Sequence, residues 1–149
     1  MKPTRITPIL NVSDVPASVA WFDALGLPLQ FAHGPEGFVS AEALAAGATA
    51  GFAGVGDGEA CLFLCEDAQG LRGGALPRFE GDDACGATWL SLWWPAPDQV
   101  DAVHAAAVQR GVTVLMAPRD EPWGVRECQL QHPDGHVLRV SAALPCGPA

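Results

Sequence analysis

The feature that most constrains the fold is an order of strand, helix and further strands that occurs twice along the chain. The first copy begins with the strand pattern ITPILNV, continues into a helix and returns to extended segments. The second copy begins with ATWLSLWW and follows the same order. Each copy must bury one sheet face against its helix, so the repeat predicts an α+β fold in which the other sheet face is left for a pocket.

Local signals set the boundaries of the two predicted helices. In the first copy either Ser13 or Asp14 is suited to cap the helix, and Gly26 is suited to end it. In the second copy Asp98 is the expected cap and Gly111 the expected end. A strand VTVLM and a loop containing proline, tryptophan and glycine follow the second helix.

These signals also predict how the chain is divided. The first module covers about residues 5–66, a linking loop covers about 67–87, and the second module covers about 88–142. A chain of 149 residues is the size of one domain, so we expect both modules to form a single domain over residues 1–149.

Composition excludes several classes of function. The chain is 49% hydrophobic and 17% charged, which is typical of a globular protein. Its net charge of −9 argues against nucleic-acid binding, and it is compatible either with a cationic small molecule or with solubility alone. No apolar run approaches the ~20 residues of a membrane helix, and no signal-peptide pattern is present, so we expect a cytoplasmic protein.

The five cysteines lack the paired short spacings of a zinc site. Cys61 and Cys65 fall on one face of a predicted strand, too far apart to bridge easily. We therefore expect small buried thiols in a reducing compartment.

Three segments resemble the vicinal-oxygen-chelate superfamily, which includes glyoxalase I, extradiol dioxygenases and bleomycin resistance proteins. They are TPILNVSDVPASVAWFDALGL, FAGVGDGEACLFL and PWGVRECQLQHPDGHVLRV. A proline in the first strand and a PWG loop make the likeness closest to the bleomycin resistance group. The resemblance implies two βαβββ modules that form a cup-shaped mixed sheet. It also implies a homodimer with first-strand exchange near Pro8 and ligand clefts at the dimer interface.

The resemblance also allows a test for the metal site of the catalytic members, which use His, Gln or Glu side chains. Their ligand positions align with Thr7, with Thr88 or Leu90, and with Arg139. None of these is a competent ligand, and a guanidinium has no lone pair to donate to a metal. We therefore expect no metal, no cofactor and no catalytic residue.

The four histidines do not suggest a metal site by another route. His33 is expected in a loop and His104 in the middle of a helix. His132 and His136 flank the turn at 133–135, where histidines commonly satisfy local hydrogen bonds.

Strand alternation predicts which side chains face the pocket. On the first strand Ile6, Leu10 and Val12 are expected to pack inward. On the later strands alternation selects, as pocket-facing candidates, Phe63, Cys65, Trp89, Ser91, Trp93 and Arg139. Such a lining is typical of a site for a flat, partly apolar ligand.

The resemblance adds further candidates. Phe31 and Trp123 match aromatic cleft positions, and so does Phe52, for which Phe38 is the alternative. A buried Arg139 needs a partner, which either Glu127 or an anionic ligand could supply.

These residues lead to alternative hypotheses about function. The first is a non-catalytic dimer that sequesters an aromatic or cationic small molecule, such as a bleomycin-type antibiotic. A variant of it is the binding of an unknown metabolite without a metal. The alternative is an enzyme of the glyoxalase or dioxygenase type, with or without a metal. Resistance by sequestration needs affinity and no chemistry, so the unsuitable metal-ligand positions favour binding.

Overall fold

The structure is a computed structural model that describes residues 6–58, 60–66 and 88–145. The chain divides into two compact units, Met1–Pro77 and Arg78–Ala149. Each unit contains one βαβββ module with a mixed sheet, which confirms the α+β fold predicted from the repeat. The predicted linking loop at 67–87 lies outside the described residues.

Unit 1 forms a five-stranded sheet with one long helix. Its elements are β1 (Ile9–Asn11), α1 (Val15–Asp23), β2 (Leu29–Gly34), β3 (Gly37–Phe38), α2 (Ala41–Ala45), β4 (Phe52–Asp57) and β5 (Ala60–Cys65). The strand order is β1-β5-β4-β2-β3, with β1 parallel to β5 and the other neighbours antiparallel. The short β3 and α2 are an insertion into the module.

Unit 2 repeats the plan without the insertion. Its elements are β6 (Trp89–Trp93), α3 (Pro97–Gln109), β7 (Thr113–Glu121), β8 (Val125–Gln131) and β9 (Val137–Ala143). The strand order is β6-β9-β8-β7, with β6 parallel to β9 and the other pairs antiparallel.

Helix α1 begins directly after Asp14, which is one of the two predicted caps. The N–H of Ala17 donates to Oδ1 of Asp14 at 2.8 Å, so Asp14 is the cap. The helix then buries Val15, Val19 and Phe22, and it packs against β4 and β5. This apolar contact leaves the opposite face of the sheet uncovered by α1.

Helix α3 begins differently from the prediction. Its N-cap is Ala96, which makes no side-chain capping bond, and Asp98 lies in the first turn instead. Pro97 explains the shift, because proline fits the first helical position, whose N–H needs no partner within the helix. In the first turn the Asp98 carboxylate still complements the helix dipole.

Strand β7 is longer than the predicted VTVLM segment. It continues through Pro118 to Glu121, with two irregularities in its pairing with β8. A proline is compatible with a strand here because it lies at the irregularity between Met116 and Arg119, and because β7 is an edge strand within the described residues.

Two further predictions were wrong for simple reasons. Ile6 is 88% exposed, because β1 begins only at Ile9 and strand alternation does not extend back to Ile6. His33 lies in β2 and not in a loop. In contrast, Leu10 and Val12 are buried as expected. No helix among the described residues is long and apolar enough to cross a membrane.

Candidate functional site

One face of the unit 1 sheet carries three phenylalanines in mutual contact. Phe31, Phe52 and Phe63, here called the aromatic face, have ring centroids between 5.3 and 5.8 Å apart. Strand alternation places them opposite the buried residues that α1 covers, such as Leu62 and Leu64. The structure therefore brings together three of the residues selected from the sequence.

A glycine that the sequence reasoning overlooked shapes this face. Gly54 pairs with Phe31 in the β2–β4 ladder, and the Phe31 ring lies directly over it. A Cβ at Gly54 would lie 2.9 Å from Cζ of Phe31, which is closer than real contacts allow. A glycine inside a strand often marks such a close approach, so Gly54 within the FAGV segment was the sequence signal that could have revealed this contact.

The two alternatives for the aromatic position on this sheet lie on the same face. Phe52 contacts the other two phenylalanines, whereas the highly exposed Phe38 contacts His33, with ring centroids 4.1 Å apart and ring planes tilted by 43°. Cys61 and Cys65 flank Phe63 as free thiols and are only half-buried, so the prediction of buried thiols was wrong for this pair.

Unit 2 carries a second candidate surface, here called the tryptophan face and defined by Trp89, Ser91, Trp93, Glu127 and Arg139. Ser91 pairs with Arg139 across β6 and β9, and Trp89 and Trp93 follow at the same alternation. Helix α3 packs against the other face of this sheet. The two indole side chains are conspicuous because Trp89 is 59% and Trp93 is 60% exposed.

A bidentate ion pair lies at the centre of the tryptophan face. Nε of Arg139 donates to Oε1 of Glu127 at 3.0 Å, and Nη2 donates to Oε2. The Glu127 side chain is only 2% exposed, whereas that of Arg139 is 34% exposed. Of the two partners considered for Arg139, the structure therefore provides Glu127.

Two further donors complete the surroundings of the Glu127 carboxylate. Nε2 of Gln129 donates to Oε1 at 3.2 Å, and Oγ of Ser141 donates to Oε2 at 3.5 Å. A carboxylate has about four acceptor sites, so these contacts and the two from Arg139 occupy all of them. Gln129 was overlooked in the sequence, although the alternating polar residues of ECQLQ indicate that it shares the face of Glu127.

The ion pair sets the protonation state of Glu127. The hydrogen bonds from Arg139 lower the pKa of the Glu127 carboxyl below its usual value, although burial acts in the opposite direction. Glu127 is therefore ionised and fully bonded at neutral pH. A carboxylate in this state is poorly suited to act as a general base, because that role needs a free lone pair directed at a substrate.

Trp123 is in a different setting from the other candidates. It lies in the turn between β7 and β8 and is 62% exposed, and Gly124 follows it with a φ of +81°. Near this turn Nε of Arg119 donates to Oε1 of the buried Glu121 at 2.6 Å.

His132 and His136 are buried between β8 and β9; His132 makes the local hydrogen bond predicted for it, whereas His136 bonds to Thr88, which is distant in the sequence. Nδ1 of His136 accepts the N–H of Thr88 at 3.0 Å, and Nδ1 of His132 accepts the N–H of Asp134 at 3.2 Å. Burial lowers the pKa of His132 to about 4, so this imidazole is neutral at pH 7.

Comparison with known proteins identifies the family. The model of the Glyoxalase/Bleomycin resistance protein/Dioxygenase superfamily matches residues 4–140. The chain belongs to this superfamily. A comparison with curated proteins found no match.

Solved structures share the superfamily fold with the chain over nearly its whole length. A glyoxalase/bleomycin resistance protein/dioxygenase from Nocardioides is 23% identical, with a TM-score of 0.65 over 99% of this chain and 87% of that chain. TioX from Micromonospora sp. ML1 is 16% identical, with a TM-score of 0.67 over 95% and 100%. Lactoylglutathione lyase from Agrobacterium tumefaciens is 16% identical, with a TM-score of 0.61 over 95% and 96%. At these identities the likeness concerns the fold alone.

The residues that the sequence resemblance aligned with the superfamily's metal ligands are not of a kind that holds a metal. Thr88 and Leu90 carry no imidazole or carboxylate, and neither does Thr7. The guanidinium of Arg139 holds Glu127. Among the residues that the structure describes, no group of three or more His, Cys, Asp or Glu side chains could hold a metal ion.

The ion pair leads to a prediction about stability. Arg139→Met is expected to lower the free energy of unfolding by roughly 2–4 kcal/mol at pH 7, because it leaves a buried carboxylate without its cation. The double variant Glu127→Gln/Arg139→Met is expected to recover most of this loss, since no unpaired charge is then buried. Urea denaturation followed by circular dichroism measures both values.

Arg126 provides the matched control for this experiment. It pairs with Asp101 and Asp120, whose side chains are 48% and 60% exposed. Arg126→Met should therefore cost no more than about 1 kcal/mol. Equal losses in Arg126→Met and Arg139→Met would contradict the special role given to the Arg139–Glu127 pair.

His132 leads to a prediction about pH. The unfolded chain binds a proton at this residue below its usual pKa of 6.5, but the folded protein does so only near pH 4. The stability contribution is therefore complete above pH 6.5 and is lost as the pH falls towards 4, by up to about 3 kcal/mol. His132→Gln should flatten the stability profile between pH 6.5 and 4.5, as measured by urea denaturation at each pH. An NMR titration midpoint of His132 near 6.5 would contradict the lowered pKa on which this prediction depends.

Proposed function

We propose that the protein is a non-catalytic binding protein that sequesters a small planar aromatic molecule, as in the bleomycin resistance branch of the superfamily. The observation that carries this proposal is the exposure of Trp89 and Trp93 on one face of β6. Two large apolar rings left open to solvent on one strand are typical of a binding surface. Stacking on an indole adds ~0.5–1.5 kcal/mol beyond burial, and a cationic ring can gain a similar amount.

The aromatic face of unit 1 supports the same proposal independently. Phe31, Phe52 and Phe63 are only half-buried, so their rings offer a second apolar surface. Gly54 lets the Phe31 ring lie close against the sheet. The rings meet at angles between 37° and 70°, so this face offers both ring faces and ring edges to an aromatic ligand.

The polar groups also favour binding over catalysis. The carboxylate of Glu127 accepts hydrogen bonds from Arg139, Gln129 and Ser141, and Nδ1 of both His132 and His136 accepts a backbone N–H. Sequestration needs none of these groups to exchange a proton. The net charge of −9 would help a cationic ligand, such as a bleomycin-type antibiotic, to approach the protein.

The proposal is tested by titrating the protein with bleomycin and with a panel of acridine and quinoxaline compounds. Calorimetry and tryptophan fluorescence measure the binding. At least one planar compound is expected to bind, and Trp89→Ala or Trp93→Ala should weaken that binding about tenfold. Phe52→Leu tests the aromatic face in the same way. Val108→Ala, which alters an exposed apolar residue of α3, is the control and should leave affinity unchanged.

Two results would overturn the proposal. One is the absence of binding to every planar aromatic compound tested, whether cationic, neutral or anionic. The other is stoichiometric zinc, nickel, iron or manganese in elemental analysis of the purified protein, which would favour an enzyme of the glyoxalase or dioxygenase type.

The proposal includes a homodimer in which β1 is exchanged between subunits near Pro8. It is supported by the exposure of apolar side chains at this end of the chain, 88% for Ile6 and 50% for Ile9. Within one chain β1 is only three residues long and lies parallel to β5, with Asn11 opposite Cys65.

The register gives a direct test of strand exchange. Asn11→Cys places a second thiol opposite Cys65 at a spacing that a disulfide can bridge. If β1 is exchanged, the oxidised variant is expected to run as a covalent dimer on a non-reducing gel. A disulfide-bonded monomer would show that β1 stays in its own subunit. The Asn11→Cys/Cys65→Ser variant is the control for other thiols.

A further inference from the structure

Arg139, and not Glu127, presents unused hydrogen-bonding groups on the tryptophan face. Among the described residues, its guanidinium bonds to Glu127 alone, through Nε and Nη2. A guanidinium carries five N–H groups, so both hydrogens of Nη1 and one of Nη2 remain. With 34% of its side chain exposed, Arg139 can offer these donors to a bound molecule.

The register places the backbone of Arg139 level with the midpoint between the two tryptophans, while its guanidinium extends towards Glu127 on β8. Arg139 lies opposite Ser91, and Trp89 and Trp93 lie two residues to either side of Ser91 on β6. With a rise of ~3.3 Å per residue, the two tryptophans are about 13 Å apart along the strand, and Arg139 is level with the midpoint. Since neighbouring strands lie ~4.8 Å apart, a two-ring compound stacked on either indole is long enough to extend its substituent across β9 towards the guanidinium.

We propose that the ligand of the tryptophan face is an aromatic carboxylate, with its ring stacked on Trp89 or Trp93 and its carboxylate bound by Arg139. Planar guanidinium groups suit this contact because they donate two parallel hydrogen bonds to a carboxylate. Glu127 is a positioning residue in this arrangement: it holds the guanidinium in one orientation and does not touch the ligand. The inference rests on the proposed function and narrows its ligand class to aromatic anions over aromatic cations.

The charge of the chain makes this inference easy to test. A net charge of −9 attracts cations over the whole surface, so a preference for an anion must come from a local site. The probes are naphthalene-2-carboxylate, naphthalene-2-carboxamide and 2-naphthylmethylammonium, which share one ring system. We expect the carboxylate to bind about tenfold more tightly than the ammonium compound, because a charge-assisted hydrogen bond contributes an affinity gain of this size.

Variants locate the source of the preference. Glu127→Gln/Arg139→Gln removes both charges together, and it should abolish the preference while the carboxamide still binds. Arg119→Gln alters a neighbouring exposed guanidinium and should leave the preference intact. If this double variant fails to fold by circular dichroism, Glu127→Gln/Arg139→Met takes its place. It also removes both charges and every donor of the guanidinium, and it should abolish the preference.

The outcomes separate this inference from the proposed function. If the carboxamide binds the wild-type protein but the carboxylate binds no more tightly than the ammonium compound, the inference is wrong and the proposed function stands. Loss of the preference in Arg119→Gln, or its survival in the Arg139 variant that folds, also overturns the inference. If none of the three probes binds while the planar panel does, the inference is again wrong. Failure of both sets of compounds overturns the proposed function itself.

Discussion

A buried carboxylate can stay charged in the unit 2 sheet only because a guanidinium binds it from the neighbouring strand. Glu127 would otherwise have to take up a proton or disrupt the strands around it. The bidentate contact from Arg139 removes this problem, and Gln129 and Ser141 occupy the remaining acceptor sites. Since all four residues lie on β8 and β9, the pair also helps to define the register of these strands. The chemistry of the tryptophan face follows from this arrangement.

Much of the fold could be predicted because the repeat is visible at the level of local pattern. Apolar spacing located α1 and α3, and alternation assigned Trp89 and Trp93 to the face away from the helix. These signals are local, since each depends on residues only a few positions apart. The prediction about Ile6 was wrong where the pattern was extended beyond the end of the strand.

The details of the candidate site depend on contacts between strands, which a local pattern does not contain. The sequence indicated that Arg139 needed a partner, but the choice between Glu127 and a ligand required the β8–β9 register. The close packing of the Phe31 ring against Gly54 likewise depends on the pairing of β2 with β4. The cap of α3 was mistaken because a proline beside a good capping residue changes which position begins the helix. Sequence reasoning thus located the faces of the sheets but not the bonds across them.

The edge strand β7 has a consequence for the behaviour of the protein at high concentration. A nine-residue strand at the end of a sheet offers unpaired backbone groups on which another chain could add a strand and begin to aggregate. Pro118 removes one donor from the middle of β7, and the charged Arg119 and Asp120 follow it directly. The irregular pairing with β8 makes the strand still less suitable as a template. The unexpected proline inside β7, with its charged neighbours and the irregular pairing around it, is therefore one of the features that disfavour edge-to-edge association.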